Sequence, residues 1–216
     1  MRFPTFQNEV EHLNQGYDLV AGCDEVGRGP LAGPVVAVAC LLDPNSISKN
    51  KNGESWHSRV RDSKTINERE REKLVGLILE HTLAYGVGEV WQDEIDKFNI
   101  HNASLLAMRK ATENMLSKVD SKNKKIILFV DGSFKIPELN IEQKSMVKGD
   151  SLVLSISAAS IIAKVHRDNI MKKLGNDFPN YGFGKHKGYG TREHKDAIKK
   201  FGVTRHHRRT FLKNFM

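Results

Sequence analysis

Apolar positions fall into short continuous runs and longer periodic stretches, and the two alternate along the chain. Residues 18–23 and 35–42 are short, apolar and rich in valine, which suits buried strands better than helices of that length. They flank a glycine- and proline-rich stretch at 27–34. Over 67–80 the spacing predicts a helix, because Asn67 and Glu70 resemble a capping pair and Leu74, Leu77 and Ile78 recur at helical intervals. A strand at about 82–90 follows, then a helix at about 101–118 with Ala103, Ala107, Ala111 and Met115 on one stripe. Residues 126–130 form an apolar run between Lys124-Lys125 and Asp131-Gly132, the pattern of a central, fully buried strand. A long helix over about 152–174, opened by Asp150 or Ser151, leads into a loop rich in glycine and aromatics and then short basic helices. The pattern predicts one α/β domain over residues 1–216: a mixed sheet flanked by helices in a core of about 17–180, with a helical carboxy-terminal extension over about 181–216. Residues 45–58, rich in Asn, Ser, Lys and Gly, are expected to form a mobile loop.

Charge sharpens this picture. The net charge is +8, and residues 181–216 carry all of it, with ten Lys and Arg against two acids. A basic end on a neutral body points to a polyanionic partner, most often nucleic acid; a solvated basic tail is the blander alternative. The longest apolar run has eight residues where a membrane span needs about 20, and the first ten residues hold Arg2, Pro4 and Glu9 rather than a signal peptide. A cytoplasmic protein without a membrane partner is expected. Cys23 and Cys40 lie in apolar strands and read as buried free thiols. No exposed apolar repeat demands a second copy, which favours a monomer.

Carboxylates placed at strand ends carry the strongest chemical signal. Asp24 and Glu25 close an apolar strand and run into glycines, and Asp131 does the same after residues 126–130. Neighbouring strand residues point to opposite faces, so Asp24 and Glu25 converge only if the strand ends or bulges between them. α/β sheets place their sites beyond the carboxyl ends of strands, so two central strands ending in acid suggest convergence. Clustered carboxylates repel unless a hard divalent cation neutralises them, and Mg²⁺ or Mn²⁺ prefers such oxygen ligands. Two metals roughly 3.5–4 Å apart are the known arrangement for in-line phosphodiester displacement. Asp150 is a third contributor or a plain helix cap.

Other motifs are weaker. Two cysteines and nine histidines make no zinc pattern, and Pro30 and Pro34 oppose a nucleotide-binding fingerprint at 27–34. Ser157, Ser160, Lys164 and Arg167 or Asp168 share one helix face, by default a solvated one; beside the acids, Ser160 and Lys164 would suit phosphate oxygens. In the loop at 185–191, Lys187 would meet phosphate while Tyr189 stacks on a sugar or base.

Taken in order, these residues resemble the type 2 ribonucleases H, the bacterial ribonuclease HII family. The resemblance rests on Asp24-Glu25-Val26-Gly27-Arg28-Gly29-Pro30 and the residues through Val36, on Asp62-Ser63-Lys64, and on Val130-Asp131-Gly132. It continues through Lys148-Gly149-Asp150, the serine- and alanine-rich stretch from Ser157 to Lys164, Arg167-Asp168, and His186-Lys187-Gly188-Tyr189. It implies a ribonuclease H-like fold, and an endonuclease that cleaves RNA in RNA–DNA hybrids and incises 5′ of ribonucleotides embedded in duplex DNA. The family's acidic quartet falls on Asp24, Glu25, Asp131 and Asp150, which would act as catalytic ligands of two divalent ions, Mg²⁺ or Mn²⁺. The products would be 3′-hydroxyl and 5′-phosphate ends. Gly27, Arg28 and Gly29 would contact the ribose 2′-hydroxyl, Tyr189 the adjoining deoxyribose, and Lys64, Ser160, Lys164 and Lys187 the remaining substrate. Only about 23 residues precede Asp24, too few for the amino-terminal domain of type 3 relatives. Some members end in a sliding-clamp-binding peptide; residues 210–216 have the aromatics but not the leading glutamine, which leaves clamp binding open. A junction resolvase or transposase-like nuclease of the same fold would share the acids without needing a 2′-hydroxyl, and a non-catalytic hybrid-binding module would share the basic end.

Overall fold

The computed structural model describes residues 3–47, 56–60 and 66–213. Five strands, β1 (Leu19–Val26), β2 (Val35–Leu42), β3 (Thr82–Val90), β4 (Ile126–Asp131) and β5 (Glu142–Met146), form one sheet in the order β3-β2-β1-β4-β5. The first three pair antiparallel, whereas β1, β4 and β5 run parallel, so the sheet is mixed. Its helices are α1 (Gln7–Asn14), α2 (Glu68–Glu80), α3 (Gln92–Leu116) and α4 (Leu154–Asp177), followed by the shorter α5 (Phe183–His186), α6 (Arg192–Phe201) and α7 (Arg209–Leu212).

Alternation along β2 explains the two-sided core. Val35, Ala37, Ala39 and Leu41 face α3 with Ala103, Ala107, Ala111 and Met115, while Val38, Cys40 and Leu42 face α2 and α4 with Ile78, Ala158 and Ile161. The alanine stripe predicted for the second helix is thus its sheet-facing side. Gly86 and Gly88 let that helix lie directly on β3, because a Cβ on either would come within 2.1 Å of a backbone carbonyl oxygen of α3. Cys23 and Cys40 are free and buried, as expected.

Several boundaries differ from expectation. Asn67 does cap α2, its Oδ1 accepting from the Glu70 N–H at 2.9 Å. The second helix starts earlier, at Gln92, but breaks at Asn99, which has φ 66° and ψ 165°. Asn99 Oδ1 then accepts from the N–H groups of His101 and Asn102, so the helix restarts where the alanine stripe begins. Strand β5 is polar and lies at the sheet edge, so it offers no apolar run to read. The long helix α4 is not opened by Asp150 or Ser151, which lie in a preceding 3-10 turn; the buried carboxylate of Glu9, in α1, accepts from the Ser155 N–H at 2.8 Å instead. The loop expected at 45–58 contains short 3-10 turns at Pro44–Ile47 and Trp56–Arg59, and its middle, like Lys64 and residues 214–216, lies outside the described residues. No helix among the described residues is long and apolar enough to cross a membrane.

Candidate active site

Pairing between β1 and β4 stops at Cys23 opposite Val130, while β1 stays paired with β2 as far as Val26 opposite Val36. Beyond Cys23 one edge of β1 is therefore open, and a cleft of about 310 Å³ lies at the carboxyl ends of these parallel strands. Asp24, Glu25, Gly27, Arg28, Gly29, Asp131, Asp150, Ser160, Lys164 and Tyr189 all line it.

The strand neither ends nor bulges between Asp24 and Glu25, contrary to the requirement drawn from alternation. Asp24 reaches the cleft from the α4 side, where the Ser160 hydroxyl donates to its carboxyl group. Glu25 reaches it around the open edge of β1 and also lines a smaller cavity against Ser104 and Met108 of α3. Alternation is kept, and the missing neighbour strand makes convergence possible.

Burial first, then the charges of Glu25 and Asp131, holds the Asp24 carboxyl well above the usual carboxylate range. Glu25 is raised by burial, against the opposing effect of Arg28, whose Nη1 donates to Glu25 Oε1 at 3.0 Å. Asp131 is raised by burial and by the charge of Asp150, although it accepts from the Gly149 N–H at 2.7 Å and from the Asp150 and Gly132 N–H groups. Asp24 Oδ1 accepts from the Glu25 N–H at 2.7 Å, so Asp24, Glu25 and Asp131 each commit at least one oxygen to a protein donor. Among the described residues no three His, Cys, Asp or Glu side chains form a ready-made metal cage. The oxygen-only donor set and its mutual repulsion nevertheless fit hard divalent cations of the Mg²⁺ or Mn²⁺ kind.

The polar face of α4 is not solvated. Ser157, Ser160, Arg167 and Asp168 are buried, and Lys164 Nζ donates to Asp168 Oδ1 at 2.7 Å while it borders the cleft. Lys187 does not reach the cleft with its side chain; its ammonium donates to the Gly184 carbonyl at 2.7 Å and contacts Glu68. Its contribution is its carbonyl, which accepts from Arg167 Nη1 at 3.0 Å.

Two buried arginines hold the loop between β1 and β2; sequence reasoning placed Arg167 on a polar helix face without this role and did not single out Arg208. Arg167 donates to the carbonyls of Pro34, Ala32 and Lys187, so one guanidinium ties this loop to the Tyr189 segment. Arg208 donates to the carbonyls of Gly27, Arg28 and Gly33. Burial lowers them to about 10 and about 9, which leaves both charged at neutral pH. Gly27, at φ +90°, is required here, because a Cβ would come 2.2 Å from Arg167 Nε. Behind Tyr189, His194 Nδ1 meets the Tyr189 carbonyl at 2.9 Å and His194 Nε2 meets His207 Nε2 at 3.0 Å. In local sequence Arg208 belongs to a basic run and Arg167 to a polar helix face, so no spacing marks either as buried.

Comparison with known proteins agrees with this geometry. The family model described as Ribonuclease HII matches residues 21–214. A ribonuclease HII from Acetivibrio thermocellus is 47% identical over 208 residues, covering 96% of this chain and 75% of the relative. The crystal structure of ribonuclease H2 from Pyrococcus horikoshii OT3 superposes with a TM-score of 0.66 at 26% identity, covering 89% of this chain and 93% of that one. Bst-RNase HIII in complex with Mn²⁺ gives a TM-score of 0.68 at 20% identity over 87% of this chain and 64% of that one, a likeness of fold. With a cleft of convergent acids at the ends of β1 and β4 and a family match over nearly its whole length, the chain belongs to the ribonuclease HII family and is a ribonuclease H-type hydrolase.

Proposed function

We propose that this protein cleaves the RNA strand of RNA–DNA hybrids and incises 5′ of ribonucleotides embedded in duplex DNA, leaving 3′-hydroxyl and 5′-phosphate ends. One observation carries the reading: four acids, the Gly27-Arg28-Gly29 loop and Tyr189 border the same cleft. A general nuclease needs only the acids, whereas the loop and the tyrosine give this cleft a means of sensing a 2′-hydroxyl and the sugar beside it. Tyr189 is 47% exposed, and a Cβ on Gly29 would lie 3.7 Å from its ring, so the two elements meet.

Asp24, Glu25, Asp131 and Asp150 would hold a pair of divalent cations, Mg²⁺ or Mn²⁺, which supply an activated water and neutralise charge on the leaving 3′-oxygen. The Mn²⁺ in the complex of the HIII relative supports that choice of metal class. The chain's own groups set the geometry. Ser160 donates to Asp24 and fixes one acid, three backbone N–H groups fix Asp131, and Arg28 steadies Glu25. Gly27 and Gly29 bring bare backbone against the ribose, where a 2′-hydroxyl finds hydrogen-bond partners that deoxyribose lacks. Lys164 borders the same cleft at a place suited to a phosphate oxygen. Arg167 and Arg208 act behind this surface, holding the loop carbonyls so that the opposite side of the loop faces the sugar.

The test is a labelled DNA duplex with a single ribonucleotide, incubated beside an all-DNA control with Mg²⁺, Mn²⁺ or chelator. Metal-dependent cutting 5′ of the ribonucleotide and an intact control are expected. Cutting of both duplexes would assign a general nuclease of this fold, and binding without cutting a non-catalytic hybrid-binding protein.

A further inference from the structure

We propose that Phe134 and His101 form a second nucleic-acid subsite, which receives the sugar–base unit of the nucleotide on the 5′ side of the scissile phosphate. The inference rests on the hybrid-nuclease reading above and deepens it.

A cavity of about 130 Å³ lies on the α3 side of the acids. Glu25, Arg28 and Asp131 line both it and the main cleft, so the two spaces are continuous across the acids. Tyr189 borders only the main cleft, whereas His101 and Phe134 border only the smaller cavity. A strand that lies against Tyr189 and passes the acids therefore meets Phe134 next. Direction follows from the same layout. The ribonucleotide is on the 3′ side of the cut and its 2′-hydroxyl belongs with Gly27 and Gly29, which leaves the opposite side of the acids for the 5′ neighbour.

The chemistry of the cavity suits a sugar and base. Phe134 is 57% exposed in the segment directly after Asp131 and Gly132. An isolated exposed aromatic is ordinary, but this one walls a cavity that opens onto the catalytic acids. Its ring is steadied by His101, at 4.6 Å between centroids and 71° between planes. His101 is placed in turn by the break at Asn99, whose φ and ψ fall in a region that residues other than glycine rarely adopt. That conformation is held by the Asn99 side chain capping His101 and Asn102. Arg28, whose side chain is half exposed at the junction of the two cavities, is set to meet the phosphate between the nucleotides. Aromatic platforms of this kind stack on a base of any identity, because every base has a π-face.

The experiment compares the wild-type chain with Phe134→Ala on two duplexes that each carry one ribonucleotide. In the second duplex, a three-carbon spacer replaces the nucleotide 5′ of the cut, keeping the phosphates and removing sugar and base. On the ordinary duplex Phe134→Ala is expected to raise KM about fivefold to tenfold with kcat changed less than about twofold, the size of one lost aromatic contact. On the spacer duplex the wild type should already show the raised KM and the variant should add nothing, which identifies the lost partner. Leu83→Ala, an equally exposed apolar residue on β3, serves as the control and should leave both duplexes unaffected. An unchanged KM for Phe134→Ala on the ordinary duplex, or an equal loss on both duplexes, would overturn the subsite while leaving the nuclease reading intact. Failure of the wild type to cut the ordinary duplex would overturn the nuclease reading and the subsite with it.

Discussion

Arg208 Nη2 donates to the carbonyl of Gly27 at 2.6 Å, and its Nη1 donates to the carbonyl of Arg28 at 2.9 Å. A guanidinium 180 residues away in the chain thus holds the backbone of the Gly27-Arg28-Gly29 loop from behind. A planar five-donor group satisfies several fixed carbonyls at once, which a lysine cannot reproduce.

Removing those donors should weaken fold and catalysis together. Arg208→Met would strand buried carbonyls at about 1–3 kcal/mol for each one left unsatisfied, and each kcal/mol lowers Tm by about 2–4 °C in a chain of this size. The kcat/KM on a single-ribonucleotide duplex should drop more than the stability of the remaining folded fraction explains. Arg208→Lys should recover part of the Tm and less of the activity. A thermal scan beside initial-rate kinetics on the same samples checks both, and an active Arg208→Met enzyme with wild-type kcat/KM would remove Arg208 from the positioning role.

Asp24→Asn should separate stability from activity in the opposite sense. Burial and the charges of Glu25 and Asp131 disfavour the ionised Asp24 in the folded protein. A neutral amide can still accept from the Glu25 N–H, so the variant is expected to fold with a Tm equal to or a few degrees above wild type in chelator. Turnover should fall by at least about a hundredfold, the scale for losing one charged group at a transition state. Adding Mg²⁺ should raise the wild-type Tm by ligand linkage and raise the variant's less. Thermal scans with chelator and with Mg²⁺ read these differences directly.

Strands β1 and β4 and the acids Asp24, Glu25 and Asp131 were legible because these acids close apolar runs, and such runs need no tertiary information to be seen; Asp150 follows the polar strand β5 and has no such signal. Helix α2 was legible through Asn67, whose cap acts within four residues. What escaped the sequence acts across long separations. Glu9 caps a helix 146 residues away, and Arg167 and Arg208 reach carbonyls more than 130 residues away. Buried cations satisfied by backbone oxygens look, in sequence, like any basic surface residue, and for that reason the polar face of α4 reads as solvated. Lys187 shows the converse: its neighbours Gly188 and Tyr189 make it resemble a phosphate ligand, yet its ammonium is occupied by Gly184 and Glu68.

Glu9 should impose a pH dependence on stability. Burial lifts its carboxyl from 4.5 to about 7, against the opposing hydrogen bond from the Ser155 N–H. Between those values the folded chain keeps a proton that the unfolded chain has released, so stability falls as pH rises across this window. The total is on the order of 3 kcal/mol, since each unit corresponds to about 1.4 kcal/mol. Glu9→Gln keeps an oxygen to accept from Ser155 and cannot ionise, so it should flatten the slope and exceed wild type in stability above pH 7. Urea unfolding at intervals from pH 5 to 8 measures the two slopes, and parallel curves would show that Glu9 is not the group responsible.

The His194–His207 contact makes a prediction of opposite sign. His207 Nδ1 accepts from the Thr204 N–H at 2.9 Å, so the ring proton of the neutral side chain lies on Nε2. That N–H donates to His194 Nε2, and His194 in turn donates from Nδ1 to the Tyr189 carbonyl. A proton added to either ring would set two donors against each other. Burial first, then the charge of His194, accordingly lowers His207 from 6.5 to about 4. The unfolded chain binds protons below 6.5 that the folded chain refuses, so stability is lost as pH falls from 6.5 toward 4. The tautomers can be read by nitrogen-15 NMR: at neutral pH His207 should show an unprotonated Nδ1 and His194 an unprotonated Nε2, and the His207 signal should stay unchanged down to about pH 5, below the unperturbed histidine value of about 6.5. Because the chain of donors ends on the Tyr189 carbonyl, His207→Ala should loosen Tyr189 and raise KM for the single-ribonucleotide duplex with little change in the rate at saturation. A His207→Ala protein with wild-type KM, or a His207 that titrates near 6.5, would mean that the pair does not hold Tyr189 in place.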